Sequence, residues 1–273
     1  MVYKTYIIGS KTYFYHIFAI QYLERSMRMN NAVFNRYEKK FIISNSIYEQ
    51  LVNRILAYMV PDRNNKNGGI YTICNIYYDT DNDYLIRKSI DKPVYKEKLR
   101  LRSYGIPDTN SEAFIEVKKK FKGIVNKRRI TLPLSEAEDY LNNNIMPSSE
   151  VMNSQIFKEI EYMRSRYTLV PKLYLSYDRR AYYCKDNEDL RITFDNNILA
   201  RREDLRLEYG AYGKNILQEG YYIMEIKLSE AFPMWLTDIL SELKVYKTSF
   251  SKYGTEYKGY LHNTLNQGGK QYV

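Results

Sequence analysis

Between Tyr95 and Arg102 apolar and charged positions alternate with a period of two. Lys96, Lys98, Arg100 and Arg102 take every second position, Tyr95, Leu99 and Leu101 lie between them, and Glu97 is the exception. A β-strand sends alternate side chains to opposite faces, so the four cations share one face. The pattern recurs. Glu116, Lys118 and Lys120 oppose Ile115, Val117 and Phe121, Arg191, Thr193 and Asp195 oppose Leu190, Ile192 and Phe194, and Glu225 and Lys227 oppose Met224, Ile226 and Leu228. Glu38 and Lys40 share a face in a predicted strand over 36–43. Lys127 and Arg129 share one over 125–132, where Arg128 spoils the alternation. Strands are also predicted over 71–78, 173–183 and 205–209, the last with Arg206 and Glu208 against Leu205 and Leu207.

Helices follow from spacing and caps. Ser46 with Glu49 forms a capping box before Ile47, Leu51 and Ile55, predicting a helix to about residue 58. Ser135 and Glu138 open a second, short one. Ile156, Ile160 and Met163 form the stripe of a third over 155–166. Ser229 opens a last one, with Pro233 in its first turn and Trp235, Ile239, Leu240 and Leu243 as its core. Residues 64–69 read as a loop. Strands dominate and long crossovers are few. The fold class is therefore α+β, a closed antiparallel barrel with helices packed outside. An ordinary sandwich turns a polar face with scattered charges to water. Here each polar face is strongly charged, as expected of a barrel whose interior carries the charge. Small barrels fill with apolar side chains, so a charged lining implies a ligand cavity. Many inward cations ask for a polyanion, and a few acids among them can hold a divalent cation.

Composition narrows this further. The 273-residue chain is 44% hydrophobic and 27% charged, with a net charge of +10. That excludes a membrane-embedded protein and points to a polyanionic partner. Two cysteines, Cys74 and Cys184, and two histidines, His16 and His262, give no disulfide framework, no histidine zinc site and no Ser-His-Asp triad. A reducing, cytoplasmic setting and a hard metal held by carboxylates follow. Aromatic residues do not interleave with the basic ones as a nucleic-acid platform requires. The apolar run over 7–20 is too short to span a bilayer. Residues 1–33 read as an N-terminal extension, either loosely packed or produced by a start set too early, given Met27 and Met29. The main domain is expected over 34–265, with a tail over 266–273.

In order along the chain stand Arg36-Tyr-Glu-Lys-Lys-Phe, Tyr77-Tyr-Asp-Thr, the run from Val94 to Gly105, Phe114-Ile-Glu-Val-Lys and Asn126-Lys-Arg-Arg. Tyr177-Asp-Arg-Arg-Ala-Tyr, Leu190-Arg-Ile-Thr-Phe-Asp, Met224-Glu-Ile-Lys and Ser249-Phe-Ser-Lys-Tyr follow. Over about 34–260 this ordered set resembles the VTC (vacuolar transporter chaperone) domain, a polyphosphate polymerase among the triphosphate tunnel metalloenzymes, alongside the CYTH proteins. The resemblance implies a tunnel of about eight antiparallel strands. It also implies transfer of the γ-phosphate of ATP to a growing polyphosphate chain, with ADP leaving and Mn²⁺ or Mg²⁺ required. Carried over by motif, Lys40, Arg100, Arg102, Lys118, Lys127, Arg179 and Arg191 bind phosphate, Glu225 binds metal and Lys252 is a further tunnel cation. The charged faces add Lys98, Lys120, Arg129 and Lys227 as phosphate contacts. They also add Glu38, Glu116 and Glu208 as carboxylates able to reach a cavity, with Glu38 and Glu116 as metal ligands beside Glu225.

Arg179 shares parity with Leu173, Leu175 and Tyr177, so strict alternation points it outward. Either a bulge re-aims it or Arg180 is the inward residue. Asp79 reads as a structural turn residue, and Lys119 and Lys122 as solvent-facing. Two other function classes stand beside polymerisation: hydrolysis of triphosphate or nucleoside triphosphate in the same tunnel, and a catalytically silent polyanion-binding module. Without a transmembrane segment, coupling to export would need a separate membrane protein.

Overall fold

The computed structural model describes residues 37–62, 69–122, 124–187, 189–229 and 231–268, with side chains to residue 264. The expected N-terminal extension and most of the expected 64–69 loop lie outside the described residues. Strand β1 (Tyr37–Ser44) runs directly into helix α1 (Asn45–Ile55), followed by the short β2 (Met59–Pro61) and β3 (Tyr71–Asp79). Helix α2 (Tyr84–Ile90) leads to three consecutive strands: β4 (Tyr95–Tyr104), β5 (Glu112–Phe121) and β6 (Ile124–Pro133). Helices α3 (Leu134–Asn143), α4 (Ser149–Met152) and α5 (Gln155–Arg166) precede β7 (Val170–Cys184) and β8 (Arg191–Arg201). The two-residue β9 (Lys214–Asn215) is followed by β10 (Tyr221–Leu228), α6 (Met234–Glu242), β11 (Lys247–Thr248) and α7 (Lys252–Gly268). All pairings are antiparallel, in the order β11-β1-β10-β8-β7-β3-β4-β5-β6. Eight strands are long, and β2, β9 and β11 are short additions.

Period-two alternation sets the layers. Leu99, Leu101, Ile115, Val117, Ile130 and Leu132 bury one face of β4–β6 under Tyr140 and Leu141 of α3 and Phe157, Ile160 and Met163 of α5. Phe41, Ile43, Ile192, Phe194, Met224 and Ile226 do the same beneath Tyr48, Leu51 and Ile55 of α1 and Leu236 and Ile239 of α6. The third cluster lies on the opposite, inner face. Ile73, Leu173, Leu175, Ile198 and Ile223 pack there against Ile86 of α2 and Tyr253 and Tyr257 of α7. So α2 and α7 fill one part of the inner face instead of joining the outer layer.

Three expectations are corrected. The barrel is not closed: no ladder joins β1 to β6 among the described residues. The free edge of β1 is taken in part by β11. β6 carries Lys127, Arg128 and Arg129 in succession, a run of like charge on the strand at that end of the sheet. The predicted 205–209 strand is a turn-rich loop. The buried guanidinium of Arg201 donates to the carbonyls of Asp204, Arg206, Gly210 and Tyr212 at 2.9–3.1 Å, so those groups are satisfied by one side chain and not by a neighbouring strand. The first helix is capped by Ser44 and not Ser46, with the Ser44 hydroxyl accepting from the Ile47 amide at 3.4 Å.

Helices α2 and α7 were not legible in the pattern. In α7 Gly254 and Gly259 mask the apolar stripe of Tyr253 and Tyr257. Asp79 does more than turn the chain. Its carboxylate accepts from the Leu85 and Ile86 amides at 2.8 and 2.9 Å, capping α2, and from the Tyr253 hydroxyl at 3.2 Å, which ties α7 to β3. Lys119 also differs, reaching Glu159 of α5 at 3.1 Å.

Leu101 is fully buried between Ile76 and Ile115 on neighbouring strands. Leu101→Ala should cost about 2–5 kcal/mol in urea unfolding. Tyr246→Ser, at a site 78% exposed, should change stability by no more than about 0.5 kcal/mol.

Candidate functional site

The strand register brings the charges together. Arg100 stands opposite Tyr77 of β3 and Glu116 of β5, and Glu116 stands opposite Arg129 of β6. Glu116 is almost fully buried and is gripped by three cations. Arg100 Nε donates to it at 2.6 Å, Lys127 Nζ lies at 2.7 Å and Arg102 Nη1 at 3.5 Å. Neutral groups fix the two forks: Arg100 donates to the Tyr77 hydroxyl at 3.2 Å, and Arg102 donates to Asn75 Oδ1 at 2.9 Å and the Tyr177 hydroxyl at 3.2 Å.

A second cluster forms where β1, β10, β8 and β7 run side by side. Glu225 lies 2.9 Å from Lys40, 3.2 Å from Lys227, 3.9 Å from Lys252 and 4.0 Å from Arg179. Asp195, fully buried, accepts both Nε and Nη2 of Arg179 at 2.6 and 2.7 Å and Lys252 at 2.5 Å. Lys252 arrives on the first turn of α7, so that helix delivers a cation to the centre of the sheet. Glu38 completes the set, 3.2 Å from Lys40 and 3.8 Å from Lys118. That last contact spans from β1 to β5, across the interval that no ladder closes.

Burial and neighbours compete at each group. Burial pushes the Glu116 carboxyl up, but Arg100, Arg102 and Lys127 outweigh it and hold it well below the usual carboxylate range. Glu225 is likewise raised by burial and lowered further by Lys40, Lys227, Lys252 and Arg179. Asp195 is held down against burial by Arg179 and Lys252. Lys40, flanked by Glu225 and Glu38, is raised despite burial. Lys127 is third in line at Glu116 behind two arginines. Burial and their repulsion bring it down to about 7. Lys98 falls to about 8, because burial and the Lys118, Lys96 and Lys40 charges outweigh the pull of Tyr77.

Lys40, Arg100, Arg102, Lys118, Lys127, Arg179, Glu225, Lys98, Lys227, Lys252, Glu38 and Glu116 thus share one face, and all of them but Lys98 take part in its ion pairs. Arg191 is on that face but is engaged by Asp62 at 2.8 Å and faces the Tyr71 hydroxyl at 3.4 Å. Lys120 is half-buried beside Lys96. Arg129 is exposed and stacks on Phe114 at 4.5 Å. Glu208 is elsewhere, paired with Arg206 in the loop after β8. The dilemma over Arg179 dissolves, because Leu173, Leu175 and Tyr177 are themselves on the inner face, so alternation keeps Arg179 inward. The bulge in the β7–β8 ladder, between Ser176 and Asp178, is not needed to turn it. Arg180 faces the other way and donates to the Tyr48 hydroxyl of α1 at 2.7 Å. Asp195, Asn75, Tyr77 and Tyr177 were missed as site residues. Asp195 was legible as the end of the Arg191–Thr193–Asp195 parity, while the tyrosines and Asn75 sit among apolar neighbours that hide their face.

Among the described residues no group of three or more His, Cys, Asp or Glu is arranged to hold a metal. Two carboxylates, Glu38 and Glu225, converge on the Lys40 ammonium. Such a pair suits a hard divalent cation that takes its other oxygens from phosphate.

The profile of the VTC domain matches residues 35–260. Subunit 4 of the vacuolar transporter chaperone complex of Trypanosoma brucei brucei is 23% identical over 203 residues, covering 62% of this chain and 26% of that protein. Its Schizosaccharomyces pombe counterpart is 24% identical over 221 residues, covering 66% and 30%. The chain therefore spans between a quarter and a third of the length of these curated relatives. A solved Hippeastrum structure, described by its dominant triphosphatase activity, superposes with a TM-score of 0.50 at 17% identity, covering 81% of this chain and 95% of that one. That likeness concerns the fold.

The depressed lysines carry a stability signature. Unfolded Lys98 binds its proton up to the ordinary value of 10.5, and folded Lys98 only up to about 8. Its charge therefore opposes folding at pH 7, and stability rises with pH through that window. Lys98→Met should raise stability at pH 7 by roughly 1 kcal/mol or more. Unfolding measured from pH 7 to 10.5 should show the gain fading as the wild-type lysine becomes neutral in both states.

Proposed function

Because the chain belongs to the VTC domain family, we propose that it is a polyphosphate polymerase that moves the γ-phosphate of ATP onto a growing polyphosphate chain and releases ADP. The observation that carries this reading is one face on which two arginine forks, a third arginine and several lysines surround buried carboxylates. Phosphoryl transfer asks a protein for charge neutralisation and in-line positioning more than for covalent chemistry. Arg100 and Arg102 give rigid forks for phosphate oxygens, already oriented by Tyr77, Asn75 and Tyr177. Arg179, held by Asp195, grips the adjoining phosphate. Lys40, Lys118, Lys127, Lys227 and Lys252 spread charge around the transferred group. Arg191 serves the outer part of the site.

An oxygen of the chain's terminal phosphate attacks the γ-phosphorus, and the bond to the ADP oxygen breaks. The attacking oxygen is already anionic at neutral pH, so no strong general base is needed. Glu225, with Glu38 beside it, would hold Mn²⁺ or Mg²⁺, which when bound neutralises phosphate charge and stabilises the leaving oxygen. Glu116 belongs to the other cluster, where it holds Arg100 and Arg102 in place. No helix of the described residues is long and apolar enough to cross a membrane. In this reading the domain works on the cytoplasmic side of a membrane protein.

With ATP and Mn²⁺, Arg100→Ala and Arg102→Ala should each slow chain growth on the order of 100-fold or more. Arg→Lys should not restore it, because the fork is lost. Long chains resolved on a gel support polymerisation. Orthophosphate as sole product makes the reaction hydrolysis, and unchanged nucleotide with tight anion binding makes the domain a binding module. In calorimetry Mn²⁺ should bind the protein alone weakly and bind tightly with triphosphate present, and Glu225→Gln should abolish the second. Tight binding to the free protein, insensitive to that change, would count against Glu225.

A further inference from the structure

The inner-face parity of β4 does not end on a cation. After Lys96, Lys98, Arg100 and Arg102 its next member is Tyr104. The neighbouring strands change character at the same end. Phe114 precedes Glu116 on β5, and Tyr71 shares the parity of Asn75 and Tyr77 on β3. The ladders bring them together, with Phe114 opposite Arg102 and Ile73 opposite Tyr104. The Tyr104 ring lies 5.5 Å from that of Phe114 and 6.1 Å from that of Tyr71, at interplanar angles of 75° and 52°. Neither neighbour is parallel to it, and Tyr104 is 49% exposed. Phe114 is buried, with the Arg129 guanidinium over its ring at 4.5 Å. Arg191 meets the Tyr71 hydroxyl at 3.4 Å. Of the three rings, Tyr104 is therefore the one open to a flat ligand, and arginines flank it.

We propose that Tyr104, braced by Phe114 and Tyr71, is the platform on which the base of a nucleoside triphosphate stacks while its phosphates run along β4 to Arg102 and Arg100. This rests on the reading of the charged face as a nucleotide-using site.

Spacing and chemistry both select a nucleotide. Along β4, Tyr104 stands one row, about 7 Å, from Arg102 and two rows, about 14 Å, from Arg100. The ribose fits that interval, with the base at the ring and the phosphates at the forks. An inorganic phosphate chain has no use for an open aromatic ring, whereas a base gains by stacking on one. Stacking accepts any base, because every base has a π face. The rings gather at one end of the basic rows and do not recur between the cations. They serve a single base and not a strand of nucleic acid.

The test compares ATP with ribose triphosphate, which carries the same phosphates without a base, by calorimetry at fixed salt and fixed Mg²⁺. Wild type should bind ATP about tenfold more tightly. Equal affinities overturn the proposal without any variant. Tyr104→Ala, its folding checked by thermal unfolding, should lose that tenfold for ATP and keep its affinity for ribose triphosphate. An equal loss for both ligands, or no loss, overturns it. Tyr104→Phe should retain the preference and Tyr104→Leu should not, so retention by leucine counts against stacking. Ethenoadenosine triphosphate should be quenched on binding wild type and not on binding Tyr104→Ala, and quenching in both overturns the assignment to this ring. If wild type makes no chains from ATP but the base dependence holds, the polymerase reading falls and the platform stands. If chains grow and affinity ignores the base, the platform falls alone.

Discussion

The structure depends on how many positive charges one sheet face can bear without a ligand. Removing a cation from water costs several kcal/mol unless an opposite charge and hydrogen bonds replace the solvent. Three carboxylates meet most of that cost. Glu116 answers Arg100, Arg102 and Lys127, Glu225 answers Lys40 and Lys227, and Asp195 answers Arg179 and Lys252. Each is buried among cations that come from different strands or, for Lys252, from a helix. The order of the sheet is therefore written into the ion pairs as well as into the apolar layers.

A face balanced in this way is prepared for exchange. Each carboxylate presents oxygens to arginine and lysine much as a phosphate would, and keeps the forks oriented before an anion arrives. Preorganised donors are worth most where water is excluded and nothing must reorient during reaction. Helix α7 joins that design through Lys252 and through Tyr253, whose ring lies beside Lys98 and whose hydroxyl reaches Asp79. Packing of one helix and composition of the charged face are thus linked.

Much of this was legible in the sequence, and the losses have physical reasons. Alternation in β4, β5, β8 and β10 located the charged face, because one-sided burial forces period two. Alternation is silent about whether a sheet's ends meet, since that depends on twist and on edge charge rather than on facing. It also misjudged Leu173, Leu175 and Tyr177, where apolar parity was read as the outer layer although α7 covers the inner face there. Arg179 was doubted for that reason. The glycines of α7 hid the helix whose presence explains the error. Asp195 shows the converse, a site carboxylate with clear parity whose importance appears only when Arg179 and Lys252 are seen to converge on it.

Arg201 reads the loop after β8 through four main-chain oxygens, with the Tyr212 ring 4.0 Å from its guanidinium. Such recognition is blind to side-chain identity and sensitive to chain length. Substitutions at the exposed loop positions leave the four carbonyls in place, whereas a change of length breaks the spacing that brings them to one guanidinium, and buried Leu207 anchors the loop in the core. Gly213 is the exception, because a methyl group there would sit 2.5 Å from the Ala200 carbonyl oxygen. The segment is constrained as a length more than as a text.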